Sequence, residues 1–281
     1  MKIYFAIILT SKQKRRTNMV FEKLYRVFAS LNEVKAIALG GSRATDNYDA
    51  QSDYDLYLYC DGIPSEAVRT EILNRYCSYI ELNNQYWETE DDCTLNNGID
   101  IDILYRDMQD FGEGIARVVE QYQASNGYTT CMWHNLNTCK ILYDETGELA
   151  ALKKRFAVPY PDQLRAEIIG RNRKLLSGYL PSYEGQILKA SKRHDIVAVN
   201  HRTAAFLESY FDIIFALNRM THPGEKRMIE IAKRDANILP ADFEKNIDAL
   251  FESLYGNSET VTEILRSIID HLDDVLAKSN E

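Results

Sequence analysis

The character of the sequence changes near residue 146, and this change constrains the fold more than any other feature. After it, apolar residues recur at the spacing of three to four residues that is typical of amphipathic helices. Helices are predicted there over 146–156, 162–180, 185–220, 224–237, 241–254 and 258–278. Because prolines interrupt the pattern, we predict a bundle of several helices in this half of the chain.

Before residue 146, short apolar runs that are typical of strands alternate with helical segments. The predicted strands cover 34–39, 54–60, 99–105 and 140–143, and the predicted helices cover 19–31, about 64–82 and about 108–124. The polar residues 83–98 are predicted to be irregular. The first half is therefore mixed α and β, and the fold class of the whole chain is α+β.

Length and charge limit the classes of protein that remain. A chain of 281 residues favours two domains, which we place at 19–145 and 146–281. The net charge of −9 disfavours the extended basic surface that nucleic-acid-binding proteins usually carry. It suits a small cationic ligand, although acidic proteins are common and this indication is weak.

Cysteine usage and the N-terminal residues favour a cytoplasmic protein without a membrane segment. The five cysteines are odd in number and include no Cys-x-x-Cys pair, so neither a disulfide framework nor a zinc site is indicated. An apolar run, Ile3–Leu9, precedes the basic stretch Lys12–Arg16. This order is the reverse of a signal peptide, and the run is too short to cross a membrane. Because Met19 opens the first amphipathic segment, we treat 1–18 as a hypothetical N-terminal appendage.

A pair of glycines follows the first predicted strand, in the segment Gly40-Gly41-Ser42-Arg43. Without side chains, glycines let backbone N–H groups approach phosphate oxygens closely. The Ser42 hydroxyl adds a further donor. The segment therefore has the composition of a phosphate-binding turn, although glycine pairs also form ordinary turns after strands.

Aspartates accompany the next two predicted strands. Asp53 and Asp55 are two residues apart and so point to the same side of a strand. Asp102, with Asp100 beside it, lies on the strand over 99–105. Carboxylates from adjacent strands can bind Mg²⁺, and two such ions about 3.5–4 Å apart assist displacement at a phosphate. The ordered combination is more specific than any part of it, since one Asp-x-Asp among 42 acidic residues means little.

The order Gly-Gly-Ser, Asp-x-Asp and a strand-borne Asp, over residues 34–106, resembles the nucleotidyltransferase domain of the DNA polymerase β superfamily. Within it, the chain is most similar to small bacterial members, the aminoglycoside and lincosamide nucleotidyltransferases and their relatives. Phe215–Arg227 more loosely resembles a helical domain of unknown function that follows such domains in bacteria. The resemblance implies a nucleotidyltransferase domain, a short mixed sheet flanked by helices, at 19–145, and a helical substrate-side domain at 146–281.

The resemblance also implies a role for each residue of the motif. The residues that would hold the phosphates of a nucleoside triphosphate are Gly40, Gly41 and Ser42. The catalytic residues, which would also bind two Mg²⁺ ions, are Asp53, Asp55 and Asp102, with Asp100 as the alternative to Asp102. We prefer Asp102 because it directly precedes the apolar Ile103-Leu104.

Basic residues outside the glycine pair are further candidates for nucleotide binding. Arg43 follows the turn and could contact the triphosphate, with an ordinary surface arginine as the alternative. Arg219 and Lys226 flank the helix break at Pro223-Gly224 and could present positive charge to a phosphate. For each of these two, a solvated helix end is the slightly favoured alternative. We predict that His222 is a turn residue and not a general base.

The expected function is transfer of a nucleoside monophosphate, AMP from ATP, to a hydroxyl of a small molecule, with an antibiotic as one candidate acceptor. A protein acceptor, as in toxin–antitoxin pairs, is the second enzymatic hypothesis. RNA-directed addition is disfavoured by the net charge. A catalytically silent nucleotide-binding module is the alternative from a different class. The acceptor, the general base and the oligomeric state stay open.

Overall fold

Six strands form one mixed sheet in the part of the chain that the computed structural model describes, residues 11–45, 48–49, 52–86 and 88–279. The strands are β1 Val34–Leu39, β2 Tyr54–Cys60, β3 Cys77–Asn84, β4 Thr89–Leu95, β5 Asp100–Arg106 and β6 Lys140–Asp144. Their order is β3-β4-β5-β2-β1-β6, and only β2 and β5 pair in parallel. The predicted α+β class, with a short mixed sheet, is confirmed.

Helices pack against the sheet because its strands alternate in polarity. The first part of the chain contains α1 Ser11–Phe28, α2 Gly41–Ala44, α3 Glu66–Tyr76, α4 Met108–Val119, α5 Cys131–Thr138 and α6 Glu148–Arg155. In β2, Leu56 and Leu58 are buried in one apolar core together with Phe28 of α1 and Leu73 of α3. Successive strand residues point to opposite faces, so Asp55 lies on the other face of the sheet.

The second half of the chain is helical, as predicted. Its helices are α7 Asp162–Leu176, α8 Tyr183–Lys192, α9 Ile196–Leu217, α10 Met228–Asp235, α11 Phe243–Ser253 and α12 Ser258–Lys278. The single helix predicted over 185–220 is in fact two. Asp195 ends the interruption by capping α9, since its side chain accepts a hydrogen bond from the Ala198 N–H at 3.0 Å.

Two strands of the sheet were missed by the sequence prediction. The helix predicted over 64–82 ends at Tyr76, and β3 and β4 occupy most of the segment predicted as irregular. The polar composition of β4 concealed it. Asp91, for example, is fully buried in this strand because Arg69 forms an ion pair with it and the Tyr105 hydroxyl donates to it at 2.8 Å.

The chain divides into two compact units, each built from two segments. The first unit comprises Met1–Gly114 and Asn135–Ala157, and the second comprises Ile115–His134 and Val158–Glu281. These limits differ from the boundary expected at 145/146. Residues 140–157 belong with the sheet because β6 pairs with β1, and Asp144 of β6 accepts a hydrogen bond from Ala150 in the first turn of α6 at 2.8 Å. The assignment of the units as catalytic and substrate-side domains remains a prediction.

The expected N-terminal appendage falls only partly within the described residues. Residues 1–10 lie outside them, whereas 11–18 form the beginning of α1, which continues without a break past Met19. Among the described helices, none is both long enough and apolar enough to cross a lipid bilayer.

Candidate active site

The glycine pair forms a tight turn between β1 and α2, and this turn touches Asp55. The Gly40 N–H donates to the Asp55 carbonyl at 2.8 Å, which fixes the end of β1 beside the start of β2. Gly41 has a φ of +58°. A Cβ atom on Gly41 would lie 1.8 Å from Oδ2 of Asp55. Position 41 therefore needs glycine both for its backbone conformation and for the close approach of the Asp55 carboxylate.

Gly40 needs glycine for a different reason. Its φ of −105° is open to any residue, but a Cβ atom there would lie 2.3 Å from the Tyr57 ring. The ring is fixed in turn, because the Arg106 guanidinium stacks on it at 3.9 Å and its hydroxyl donates to Oδ1 of Asn135 at 3.3 Å. Tyr57 is thus a site residue that the sequence prediction missed, and it supports the glycine turn from the sheet.

Carboxylates from three adjacent strands line up across one face of the sheet. Asp55 of β2 is the register partner of Asp102 of β5, and Asp102 is the register partner of Asp92 of β4. Asp92 accepts a hydrogen bond from Nδ2 of Asn84. The row therefore contains two of the three predicted carboxylates, Asp55 and Asp102, together with Asp92, which was missed because β4 was not recognised as a strand.

Crowding of negative charge affects the protonation of Asp102. Burial, followed in order of effect by the neighbouring carboxylates of Asp55, Asp92, Asp53 and Glu90, raises the pKa of Asp102 to about 7. Repulsion of this kind is relieved when a cation binds. Oxygen donors in such an arrangement have the chemistry that Mg²⁺ requires.

The carboxylates do not form a ready-made metal cluster. Among the described residues, no group of three or more His, Cys, Asp or Glu side chains is arranged to hold a metal ion. Asp55 and Asp102 are nevertheless adjacent through strand register. The donor set fits Mg²⁺ by its chemistry and by the adjacent strands that carry it.

Asp100, the alternative to Asp102, has different surroundings. It is exposed at the start of β5, and it accepts a hydrogen bond from the Thr94 hydroxyl at 2.8 Å. Its register partner on β4 is Thr94, whereas Asp102 faces Asp55. The structure thus brings Asp102 and not Asp100 beside Asp55.

Arg43 serves the protein's own backbone. It is 7% exposed, and its Nε donates to the carbonyls of Ser52 at 3.0 Å and Asp53 at 2.8 Å. Its guanidinium lies 4.0 Å from the centre of the Tyr54 ring. Both expectations for Arg43 need correction, because it is neither a surface arginine nor turned toward solvent for a phosphate. It anchors the segment that leads into β2 and so positions Asp53.

The other two predicted cations belong to the second compact unit, whereas the glycine turn belongs to the first. Arg219 has a φ of +53° and donates to Oδ1 of Asp162 at 2.6 Å. Lys226 is exposed on the segment before α10. A role for either in nucleotide binding remains a prediction.

The second unit contains a buried polar cluster that the sequence did not indicate. Asp212 of α9 accepts hydrogen bonds from the Thr129 N–H at 3.1 Å, the Thr129 hydroxyl at 2.6 Å and Nδ2 of Asn172 at 3.1 Å. Burial raises the pKa of Asp212, these hydrogen bonds partly offset that rise, and the resulting pKa is about 6. The cluster ties α7 and α9 to the segment before α5.

His222 lies beside this cluster and is neutral near pH 7. Burial, with a smaller effect of His134, lowers the pKa of His222 to about 3. Its backbone N–H donates to the Thr130 hydroxyl at 2.8 Å, and its ring meets those of Tyr128 and Phe215 edge-on. These contacts agree with a structural position in the turn after α9.

Comparison of sequences adds one family match. Residues 129–228 match a family model described as "Domain of unknown function (DUF4037)". The match begins at Thr129, the partner of Asp212, and contains Phe215–Arg227, the stretch that resembles a helical domain of unknown function. The chain matches no curated protein in sequence.

Comparison with solved structures finds distant similarity over most of the chain. A nucleotidyltransferase-like protein from Exiguobacterium sibiricum 255-15 is 13% identical, with a TM-score of 0.41 over 93% of this chain and 75% of that one. An aminoglycoside 6-adenyltransferase from Bacillus subtilis is 10% identical, with a TM-score of 0.29 over 96% and 92%. The CCA-adding enzyme of Thermotoga maritima, complexed with tRNA, is 10% identical, with a TM-score of 0.31 over 97% and 84%.

These three names belong to the class of protein that the sequence motif resembles. Each TM-score is below 0.5, so the similarity carries no weight for activity or substrate. The chemistry of this chain has to be inferred from its own glycine turn and carboxylates.

Proposed function

We propose that this protein is a metal-dependent nucleotidyltransferase. It would transfer a nucleoside monophosphate, AMP from ATP, to a hydroxyl group of a small-molecule acceptor and release pyrophosphate. One observation carries the proposal: the Asp55 carboxylate lies against Gly41 of the turn and is in register with Asp102. A turn suited to phosphate and two carboxylates suited to a cation therefore meet at one place on the sheet.

Different residues of the chain would bind the nucleotide and catalyse the transfer. Backbone N–H groups at Gly41 and the Ser42 hydroxyl would donate to the β- and γ-phosphate oxygens. Asp53, Asp55 and Asp102 would hold Mg²⁺, which supplies neutralisation of charge on the phosphates and activation of the attacking hydroxyl. Asp102 is also the proposed acceptor of the hydroxyl proton, because it lies in register with Asp55 and a carboxylate beside the bound cation can take up that proton.

The negative charge of the site favours a cationic acceptor. Asp92 and Glu90 lie on β4 next to the strand of Asp102, on the side away from the glycine turn. Carboxylates there attract a positively charged small molecule and repel polyanions such as RNA. A cationic antibiotic is one member of this class of acceptor.

Label transfer tests the proposed activity. The protein is incubated with Mg²⁺ and each of the four nucleoside triphosphates labelled at the α-phosphate, in a bacterial extract supplemented with cationic antibiotics. Asp55→Asn should lower transfer by about 100-fold or more, the scale on which loss of a preorganised charge-stabilising group acts. The melting temperature of this variant should be unchanged or slightly raised, because one of several mutually repelling carboxylates is removed.

The matched control is Asp110→Asn, which makes the same change at an exposed position on α4 and should transfer label like the wild type. Separation into small molecules, protein and RNA identifies the acceptor class, and label in protein would favour protein nucleotidylation. Near-normal transfer by Asp55→Asn would show that the metal site is assigned wrongly. ATP binding without pyrophosphate release for any acceptor would favour a catalytically silent module.

A further inference from the structure

We infer that Glu88 is a positioning residue for the glycine turn and acts through Arg106 and Tyr57. This inference rests on the proposed function, in which the turn binds the phosphates of the nucleotide. Glu88 lies in the connection between β3 and β4, and no sequence motif marks it. Three successive contacts link its carboxylate to the backbone of Gly40, which is distant from it in sequence.

The first contact is an ion pair between Glu88 and Arg106, the last residue of β5. Nε of Arg106 donates to Oε1 of Glu88 at 2.8 Å and to Oε2 at 3.1 Å, and Nη2 of Arg106 also donates to Oε2. The Arg106 side chain is only 3% exposed. Because two nitrogens of one planar group bind one carboxylate, the pair fixes the orientation of the guanidinium as well as its position.

The second contact is between the Arg106 guanidinium and the Tyr57 ring. Cζ of Arg106 lies 3.9 Å from the centre of the Tyr57 ring and 4.8 Å from the centre of the Phe111 ring. A guanidinium at this distance attracts an aromatic ring through its charge and its flat face. The position of the Tyr57 ring therefore depends on the guanidinium that Glu88 orients.

The third contact is between the Tyr57 ring and Gly40. A Cβ atom on Gly40 would lie 2.3 Å from the ring, so the ring fills the space that a side chain would need. The Gly40 N–H is bound to the Asp55 carbonyl at 2.8 Å. The ring and β2 together therefore fix the turn, and a shift of the ring would move the groups of Gly41 and Ser42 that are proposed to bind phosphate. A misplacement of about 1 Å can cost about 100-fold in rate.

Titration calorimetry with Mg²⁺·ATP and with AMP tests the role of Glu88. Glu88→Gln keeps the size of the side chain and removes the charge that orients Arg106. We expect this variant to bind ATP about 10-fold more weakly and AMP less than about 2-fold more weakly, because AMP lacks the β- and γ-phosphates. Tyr57→Leu, which removes the ring, should show the same selective loss. Tyr57→Phe keeps the ring and should bind ATP more tightly than Tyr57→Leu.

Glu71→Gln is the matched control, because it makes the same change in an exposed pair with Arg75 on α3 of the same unit. It should bind both nucleotides like the wild type. Melting temperatures of all variants would be measured first, so that binding is compared well below unfolding.

Wild-type affinity for ATP in Glu88→Gln would overturn the role of Glu88 and leave the proposed function standing. Equal loss of ATP and AMP binding would also overturn it, since the effect would then be structural. Wild-type binding by Tyr57→Leu would overturn the route through the ring. Absence of ATP binding by the wild type would overturn both the inference and the proposed function.

Discussion

At the scale of single residues, the glycine turn is constrained by the side chains that lie against it. Gly41 meets the Asp55 carboxylate and Gly40 meets the Tyr57 ring. The two neighbouring positions thus require glycine for different reasons. Position 41 requires it because of a carboxylate and a positive φ, and position 40 requires it because of an aromatic ring. A side chain at position 41 would displace the end of a flexible aspartate, whereas one at position 40 would displace a ring that Arg106 holds.

This difference predicts that Gly41→Ala separates activity from stability. An alanine with φ near +58° costs about 1–2 kcal/mol in backbone strain. The new Cβ would also push the Asp55 carboxylate out of place, so nucleotidyl transfer should fall by about 100-fold or more. Denaturant unfolding and label transfer on the same preparation would measure the two effects.

Gly62→Ala is the matched control for that prediction. Gly62 has a φ of +86°, and a Cβ atom there would meet nothing within 4 Å. This variant should lose a similar amount of stability and keep its activity. If Gly41→Ala were as active as Gly62→Ala, the contact between the turn and Asp55 would have no catalytic importance.

At the scale of elements, β4 is a strand with acidic side chains inside the first unit. Asp91 points to the buried face, where Arg69 of α3 and Tyr105 of β5 bind it, and the neighbouring Asp92 points to the face of the carboxylate row. The Asn83 N–H also donates to Asp91 at 3.0 Å, which ties β3 to β4. Two consecutive acidic residues of one strand therefore have different roles: Asp91 stabilises the fold, and Asp92 belongs to the candidate site.

Asp91→Asn should strongly destabilise the sheet. Arg69 is 2% exposed, and without its carboxylate it becomes a buried charge with reduced compensation. Breaking a buried pair by changing one partner typically costs about 3–5 kcal/mol. Denaturant unfolding would measure the loss, and hydrogen exchange should show it first in the β3–β4 hairpin at the edge of the sheet.

The double change Arg69→Met with Asp91→Asn is the control for this prediction. It removes both charges, so it should recover part of the stability that Asp91→Asn loses. A double variant no more stable than Asp91→Asn would indicate that the hydrogen bonds of Asp91, and not its pairing with Arg69, hold the hairpin.

At the scale of the whole molecule, each compact unit needs a segment from the other half of the chain. The second unit includes Ile115–His134, whose Thr129 and Gly127 bind Asp212 and Asn172. Without that segment Asp212 is a buried carboxylate with one hydrogen-bond donor, Asn172, in place of three. A lost partner for a buried polar group costs about 1–3 kcal/mol.

Fragments of the chain should therefore differ in stability according to where they begin. A fragment of residues 115–281 should unfold cooperatively, whereas one of residues 146–281 should melt at a much lower temperature or show no transition. Thermal unfolding followed by circular dichroism would compare them. Equal melting temperatures would mean that 115–134 is not part of the second unit.

How much of this could be predicted from sequence depends on whether the signal is local. The periodicity of apolar residues predicted β1, β2 and the last helix, α12, with the same first and last residues that the structure shows, because burial of one face depends on neighbours along the chain. The carboxylates Asp55 and Asp102 were found in the same way, from strand alternation and from a motif. The hairpin of β3 and β4 was missed, because its polar residues are buried against partners distant in sequence.

The sequence by itself determined the α+β class, the positions of most elements, and the glycine turn with its aspartates. Tertiary structure alone decided that Asp92 joins the carboxylate row, that Tyr57 supports the turn and that Arg43 faces inward. The physical reason is strand register. The face of the sheet on which a side chain lies follows from the alternation of residues within its own strand. Its neighbours on that face depend on hydrogen bonds to other strands, which no local pattern specifies.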